Sequence, residues 1–426
     1  MRAAVAAFSL LLAAAARAQN APAGATPADL APAAAPAASQ AASTARAAPE
    51  AVGYEPGVGL RYKTPRTQVA LYALLEPTLS TVDHADAAGG RQTGYQVSWF
   101  SGNRWGLTGS QALVEGDGLK AIFRLESEFE LPTGNMDSPG VLFNRDCWAG
   151  FEGDLGKLTF GRQNTLARDF AQSYADPYGT ANVTLDEGGW TNVNNFKQLI
   201  FFAGSATGTR YDNGVVWKKK LGEHVVAGLG YQFGGEPGSF SRNSSGAAGL
   251  ALNLAPVDVS AFFDEASNDG NNQRSFSVGG NYQLGQVRLN AGYFRYQAAQ
   301  DALGRRTDDA FTVSAKVAPV AEHLELDAGF QRIKVSNAAT NGGGNTIRQF
   351  ADTSAATATG SGSKATLYGS AIWHFNKLTQ VYLALDHARV SGGYRANGAV
   401  AGRLAADVAG ASASQTELAA GMRLIF

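Results

Sequence analysis

The sequence has little of what a disulfide-stabilised, nucleic-acid-binding or catalytic protein requires. Its 426 residues include one cysteine, Cys147, which by itself cannot form an intramolecular disulfide. The formal net charge of −1 argues against a nucleic-acid partner, because such a partner selects a clear basic excess. The five histidines form no recognisable nucleophile–base arrangement and no metal-ligand spacing. We therefore predict no catalytic residue, no bound metal and no other cofactor.

A long uncharged apolar segment is also missing. Residues 3–15 are apolar and follow Arg2, but they fall short of the ~18 residues of a transmembrane helix, and no later stretch approaches that length. Together with the small-x-small triplet at residues 16–18, they predict a signal peptide, residues 1–18, cleaved before Gln19. A mature chain without a transmembrane helix can span a membrane only as a closed β-barrel, because lipid offers no partner to an open strand edge.

Aromatic residues are absent from residues 19–51, which consist mainly of Ala, Pro, Ser and Thr. Such a composition buries too little apolar surface to offset the entropy lost on ordering. An Ala-rich helix is the alternative, but five prolines interrupt it: Pro22, Pro27, Pro32, Pro36 and Pro49. We predict that residues 19–66 form a disordered periplasmic extension.

From Thr67 onward the sequence alternates with a period of two, which is typical of β-strands whose two faces differ. In residues 119–129 the apolar positions alternate with Lys, Arg and Glu, and residues 324–331 and 381–386 repeat the pattern. A soluble β-sandwich would alternate in the same way, so single strands do not distinguish the two architectures.

The connections between the alternating segments do distinguish them. Short connections, at residues 153–156, 221–224, 255–256, 284–285 and 376–377, alternate with long polar ones, at residues 133–144, 235–246, 297–306, 336–363 and 391–414. Short turns on one rim and long loops on the other are typical of outer-membrane barrels. The strands between these breaks predict an all-β, antiparallel up-and-down barrel of about sixteen strands over residues 67–426. The chain also ends on an outward apolar row closed by an aromatic residue: Leu418, Ala420, Met422, Leu424 and Phe426.

Several segments resemble the general porins of Gram-negative bacteria, the sixteen-stranded trimeric type, and most closely their beta-proteobacterial branch. The segments are Leu71-Tyr72, residues 103–109 (usually S-R-W-G-L-K-G), 118–127, 145–151, 158–163 and 421–426. Residues 235–376 are similar only in strand rhythm. The chain departs from the pattern at Leu74, where many relatives carry a small or polar residue, at Cys147, where they carry a small residue, and in its long extension.

The resemblance implies a passive diffusion channel for small hydrophilic solutes and ions, located in the cell outer membrane with multiple passes. It implies a homotrimer, latched by the loop at residues 133–144, that contacts outer-membrane lipid and lipopolysaccharide. It also implies the outer-membrane assembly machinery as a partner, because that machinery reads the terminal aromatic residue, here Phe426. The alternative is a substrate-selective porin for organic anions, whose wall arginines would form a binding ladder.

The resemblance further implies that the long loop after the fifth strand folds into a water-filled lumen. Here that loop is residues 166–197, and its tip is residues 185–190, where glycines permit a tight bend. Asp186 and Glu187 would be its acidic groups at the pore constriction.

The facing wall is expected to carry arginines. Trp105 is taken to face lipid, so the alternation of side chains places Arg104 in the lumen, and the same reasoning from Trp148 places Arg145 there. Arg124 lies on the charged face of its strand, and Arg210 resembles the third wall arginine of the family. If arginines outnumber carboxylates at the constriction, the channel is weakly anion-selective.

Each of these residues also has a simpler interpretation. Arg104 and Arg145 fit ordinary rim charges, and Asp186 and Glu187 fit a solvated loop. We predict that the remaining charged residues and the cysteine serve the wall itself: Arg162 braces the loop, Glu126 and Glu128 solvate the lumen, and Cys147 fills space on the lumen side. Two other classes, a hydrolase barrel and an adhesive barrel, are disfavoured by the absence of a catalytic constellation and by an acidic loop inside a basic wall.

Overall fold

The computed structural model describes residues 52–86, 88–96, 98–114, 118–188, 205–268, 271–341, 352–394 and 412–426. The predicted signal peptide and residues 19–51 of the predicted extension lie outside these residues, as do parts of several long loops. The described strands belong to a single sheet. They are β1 Gly53–Glu55, β2 Gly59–Lys63, β3 Thr67–Leu75, β4 Thr78–Val82, β5 Gln92–Gln96, β6 Asn103–Ala112, β7 Leu119–Phe129, β8 Asp146–Gly153, β9 Gly156–Asn164, β10 Arg210–Leu221, β11 Val225–Gln232, β12 Ser245–Leu254, β13 Val257–Asn268, β14 Asn271–Leu284, β15 Val287–Ala299, β16 Arg305–Val320, β17 Leu324–Ala339, β18 Thr359–Asn376, β19 Thr379–Gly392 and β20 Ser414–Ile425.

Antiparallel pairing of consecutive strands closes this sheet into a barrel. The closure lies between the two ends of the chain, where β20 pairs with β3 at Leu424↔Leu75 and with β4 at Glu417↔Val82. The first wall strand is divided into β3 and β4, and the second into β5 and β6, so the wall has sixteen strands. The sequence-based prediction of the fold class is therefore confirmed.

Alternation along the strands separates an apolar outer face from a more polar inner face. In β19, Leu383 is 67% exposed, whereas its neighbours Tyr382 and Ala384 are 4% and 5% exposed. Inward positions of other strands hold buried polar side chains such as Ser260 and Gln331. An outward apolar band around a polar interior is the pattern of a transmembrane barrel. None of the helices in the described ranges has the length and apolarity of a membrane-spanning helix.

The strands β1 and β2 form a hairpin that the sequence analysis did not anticipate. Their residues fall inside the range 19–66, so the prediction of disorder is wrong for residues 53–63. β2 pairs with the first part of β3, from Leu60↔Leu71 to Lys63↔Gln68. The end of β20 pairs only with the last part of β3, at Leu74 and Leu75, so β2 pairs with the edge that β20 does not reach. The Ala/Pro-rich composition that motivated the prediction ends before this hairpin, which is held by backbone pairing to the wall.

Candidate pore constriction

The connection between β9 and β10, residues 165–209, is called the inner loop and is described for residues 165–188 and 205–209. It is longer than the predicted range 166–197, because β10 begins only at Arg210. A short helix, α1, spans Leu166–Ala171 and is capped by the Thr165 side chain, which accepts a hydrogen bond from the Arg168 N–H. All its residues are buried, and it packs against β12 and β13, so the inner loop lies inside the barrel as expected.

Two aromatic side chains of the inner loop fit against glycines of the wall. A Cβ atom at Gly249 would lie 2.6 Å from the Phe170 ring, and a Cβ atom at Gly292 would lie 2.3 Å from the Tyr174 ring. These distances are far below van der Waals contact, so only glycine lets the rings approach the wall this closely. Gly249 of β12 and Gly292 of β15 therefore leave the space on the wall that the two rings of the loop occupy.

Polar side chains of the wall hold the backbone of the same segment. The Tyr174 and Ser277 hydroxyl groups are 2.7 Å apart, and the Ser260 hydroxyl donates to the Phe170 carbonyl at 2.6 Å. The Thr312 hydroxyl and the Gln331 amide donate to one carbonyl, that of Ala175, at 3.1 and 3.0 Å. Because buried carbonyls require partners, these bonds hold the inner loop in a single position on the wall.

At its far end the inner loop meets a second inward projection. The Tyr178 ring lies 4.8 Å from the ring of Phe100, which stands in the break between β5 and β6. The Phe100 and Ser101 N–H groups donate to the Glu76 carboxylate at 2.6 and 3.1 Å, and the Tyr382 hydroxyl donates to it at 3.0 Å. Sequence reasoning missed Glu76 and Phe100, although Pro77 and Gly102 mark the two strand breaks.

The inner loop then returns toward β9 and β10. The Asn253 amide donates to the Val183 carbonyl at 2.9 Å, and the Lys218 ammonium donates to the Asp186 carbonyl at 2.6 Å. Lys218 also forms a buried ion pair of 2.9 Å with Asp169, whose other oxygen accepts the Gly188 N–H at 2.7 Å. These contacts place Asp186 and Glu187 beside the charged face of the wall.

Ion pairs and hydrogen bonds join five of the six residues predicted to form the constriction in one cluster of charges, and the sixth, Asp186, adjoins the cluster through its sequence neighbour Glu187. Arg124 lies 3.2 Å from Glu187 and 3.9 Å from Asp146, which also accepts a hydrogen bond of 3.5 Å from Arg210. Arg145 forms ion pairs with Glu126 and Glu128, and Arg104 lies 3.8 Å from Glu126. Asp186 lies 3.4 Å from Lys157.

The exposure of these side chains differs greatly. Arg124 and Arg104 are 31% and 19% exposed, whereas Arg145 and Arg210 are only 9% and 8% exposed. The carboxylate of Asp186 is 87% exposed. Asp186, Arg124 and Arg104 therefore have the most exposed side chains of the cluster, whereas Arg145 and Arg210 mainly neutralise buried carboxylates.

The prediction that Glu126 and Glu128 solvate the lumen is wrong, because both pair with Arg145. Glu126 is 3% exposed and also accepts a 2.7 Å hydrogen bond from the Tyr72 hydroxyl, which sequence reasoning missed. Within the described residues, the cluster contains as many carboxylates as cations. The carboxylates are Glu126, Glu128, Asp146, Asp186 and Glu187, and the cations are Arg104, Arg124, Arg145, Lys157 and Arg210.

In β8 the predicted orientations of two residues are wrong. Trp148 is buried inside, 5.1 Å below the Lys157 ammonium, and Cys147 is exposed on the outer face. Arg145 nevertheless lies inside, because it precedes the first residue of β8 and does not follow its alternation. Arg162 also faces outward, where it pairs with Asp212 and donates to the Asn144 carbonyl at 2.8 Å; it therefore braces β9 against neighbouring segments.

Comparisons with known proteins agree with this architecture. Residues 28–393 match the family described as Gram-negative porin. An outer membrane porin protein of Bordetella pertussis is 33% identical over 217 residues, which cover 46% of this chain and 52% of that relative. The matched region thus spans about half the length of this curated relative.

Solved structures extend the likeness over most of the chain. An anion-selective porin from Comamonas acidovorans has a TM-score of 0.64 and 21% identity, covering 84% of this chain and 100% of that chain. The trimer form of OmpT of Vibrio cholerae has a TM-score of 0.56 and 16% identity, covering 85% of this chain and 100% of that chain. At these identities the likeness concerns the fold.

Proposed function

Because this chain belongs to the Gram-negative porin family, and is therefore a β-barrel channel of the outer membrane, we propose that it is a passive diffusion channel for small hydrophilic solutes and ions. Family membership confirms the resemblance seen in the sequence. The finer part of the proposal is that Arg104, Arg124, Asp186 and their neighbours form the constriction, and that the channel weakly prefers anions.

The observation that carries the proposal is the charge cluster between β6–β10 and the returning part of the inner loop. Arg124 pairs with Glu187 of the inner loop and Asp186 of the same loop pairs with Lys157 of the wall, so opposite charges of wall and loop face each other there and set up a local field. Low-dielectric walls focus such a field, and polar solutes align their dipoles in it. The inner loop is held by side chains of β12–β17, which gives the constriction a defined width.

The same cluster accounts for a weak rather than a strong ion preference. Its carboxylates and cations are equal in number, and of its three most exposed side chains one is a carboxylate, Asp186, and two are arginines, Arg124 and Arg104. Anion selectivity is the property named for the structurally similar porin of Comamonas acidovorans. An organic-anion-specific channel would need a row of free arginines, and each arginine described in the cluster has a carboxylate within 4 Å.

Planar-bilayer recordings with the purified protein test the proposal. A diffusion channel gives conductance that rises in proportion to salt concentration and a reversal potential displaced slightly toward that of the anion. Saturation of current by an organic anion at low concentration would favour the substrate-selective alternative. A protein that inserts without conducting would overturn the proposal.

The proposal includes a homotrimer, outer-membrane lipid and lipopolysaccharide as surroundings, and the assembly machinery as the partner that reads Phe426. The trimer form of the similar Vibrio cholerae protein supports the proposal of a homotrimer. Phe426 is exposed, and its N–H donates to the Ala73 carbonyl at 2.9 Å, so the terminal residue belongs to the barrel seam. No enzymatic activity is part of this function.

A further inference from the structure

Two breaks in neighbouring wall strands face each other beside the barrel seam. The pairing of β3 with β6 stops at Leu74↔Arg104, and the pairing of β4 with β5 starts at Thr78↔Gln96. The first wall strand crosses this gap with fewer residues than the second, so the longer side cannot stay in register. Extra residues of this kind leave the ladder and redirect their side chains. We call residues 98–102, on the longer side, the projection.

Glu76, in the shorter break, holds the projection. Its side chain is fully buried, and its carboxylate accepts the Phe100 N–H at 2.6 Å and the Ser101 N–H at 3.1 Å. Its own N–H donates to the side-chain oxygen of Asn103, which directly follows the projection, at 2.5 Å. Hydrogen bonds to a carboxylate are roughly twice as strong as those between neutral groups. One buried residue therefore fixes the projection at two successive N–H groups and at its end.

The projection contacts both sides of the proposed constriction. On the wall side, the Arg104 guanidinium donates to the Ser101 hydroxyl at 2.7 Å and lies 3.8 Å from the Glu126 carboxylate. On the loop side, the centre of the Phe100 ring lies 4.8 Å from that of the Tyr178 ring of the inner loop. The direction of the Arg104 side chain and the position of this end of the inner loop therefore both depend on where the projection is held.

We propose that Glu76 is a positioning residue of the channel, which holds the projection so that Ser101 orients Arg104 and Phe100 supports the inner loop. Once released from Ser101, the Arg104 guanidinium is free to approach Glu126 more closely than 3.8 Å, and the attraction between the two charges rises as their distance falls. A more tightly paired Arg104 contributes less positive charge to the lumen. The inference rests on the proposed function, because the orientation of Arg104 affects ions only if Arg104 lines the constriction.

Reversal potentials of the full-length protein across a salt gradient in planar bilayers test the proposal. Glu76→Gln keeps the shape of the side chain but replaces an acceptor oxygen by an NH2 group that faces N–H donors. It should move the reversal potential toward that of the cation, as Arg104→Gln should. Loss of a negative charge by itself acts in the opposite direction, toward the anion, so the sign of the shift separates positioning from a direct effect of charge.

Ser101→Ala provides a second variant that does not depend on the folding of Glu76→Gln. It removes the hydroxyl that holds Arg104 and leaves the N–H groups that bind Glu76 in place. It should shift the reversal potential in the same direction, with a nearly unchanged unfolding temperature. In the Arg104→Gln background, neither variant should add a further shift, because effects that pass through the same residue are not additive.

Glu417→Gln is the matched control, because Glu417 is a buried carboxylate of the same seam that accepts hydrogen bonds from Ser80 and Gln96. It should not move the potential toward the cation. Full additivity of the shifts in the Arg104→Gln background would overturn the proposal, and so would a lower unfolding temperature of Glu76→Gln without a change in potential. Both results leave the proposed function intact if Arg104→Gln alone shifts the potential. If Arg104→Gln has no effect, the assignment of the constriction fails, and this inference fails with it.

Discussion

Phe170 of the inner loop covers Gly249 of β12 so closely that a Cβ atom there would lie 2.6 Å from two of its ring carbons. The position of the loop therefore depends on the absence of a side chain in the wall. A single methyl group added at Gly249 would therefore displace the ring and the loop that carries it.

Gly249→Ala should displace Phe170 and with it the inner loop, because overpacking of this kind forces a backbone shift costing typically 1–3 kcal/mol. We expect an altered mean conductance and noisier single-channel currents, together with a lower unfolding temperature. Gly246→Ala on the same strand is the control, because its added Cβ would meet only Tyr231, at 3.9 Å. Indistinguishable recordings from the two variants would show that Gly249 does not determine the position of Phe170.

Replacing the two partly exposed arginines, in Arg104→Gln/Arg124→Gln, should move the reversal potential toward that of the cation. The shift should be largest below 0.1 M salt, where the Debye length exceeds ~10 Å, and should shrink as salt is added. Arg162→Gln is the matched control, because Arg162 faces outward and pairs with Asp212. If the double variant and this control give the same potential, Arg104 and Arg124 do not face the solute.

Arg145→Gln should affect stability more than selectivity. Arg145 pairs with Glu126 and Glu128 in a buried position, so its removal leaves two carboxylates without their main counter-charge. Breaking a buried pair costs roughly 3–5 kcal/mol, which should appear as a lower urea midpoint of unfolding. Arg124→Gln provides the comparison, since Arg124 is partly exposed and should lower the midpoint much less. The reverse order of stability would refute this division of roles.

Asp186→Asn should move the reversal potential toward that of the anion, because Asp186 is the most exposed carboxylate of the cluster. Glu187→Gln should have a smaller effect on the potential, since Glu187 is buried against Arg124. Comparing the reversal potentials of the two single variants across the same salt gradient distinguishes a carboxylate that faces the solute from one that is neutralised by Arg124. A larger effect from Glu187→Gln would reverse the assignment.

Deletion of Phe426 should block assembly in the outer membrane and leave export across the inner membrane intact. The residue exchanges backbone hydrogen bonds with Ala73, so its loss opens the end of the barrel seam. Fractionated cells should show the truncated chain accumulating in the periplasm. Normal amounts of heat-modifiable protein in the outer membrane would rule this out.

Local patterns in the sequence were sufficient to predict the wall and the inward orientation of Arg104. Both the alternation along β7 and the opposite orientations of Arg104 and Trp105 follow from a regular strand, in which successive side chains point to opposite faces. The same reasoning gave the wrong orientation for Trp148. It assumed that Arg145 and Trp148 belong to one regular strand, but Arg145 lies before β8, which begins at Asp146. The fit of Phe170 against Gly249 had no local signal, because it joins two segments that meet only in the folded barrel.

The seam between β20 and the first wall strand also constrains the order of folding. The Ser80 hydroxyl donates to the Glu417 carboxylate at 2.6 Å across a sequence separation of 337 residues. Contacts between such distant residues form slowly, because a very long loop must close before they stabilise anything. The last strand must therefore be synthesised and delivered before the barrel can close, and until then the strand edges and the apolar outer face are exposed to aggregation. Closure of this barrel is thus a post-translational event, because it requires the first and last strands to meet.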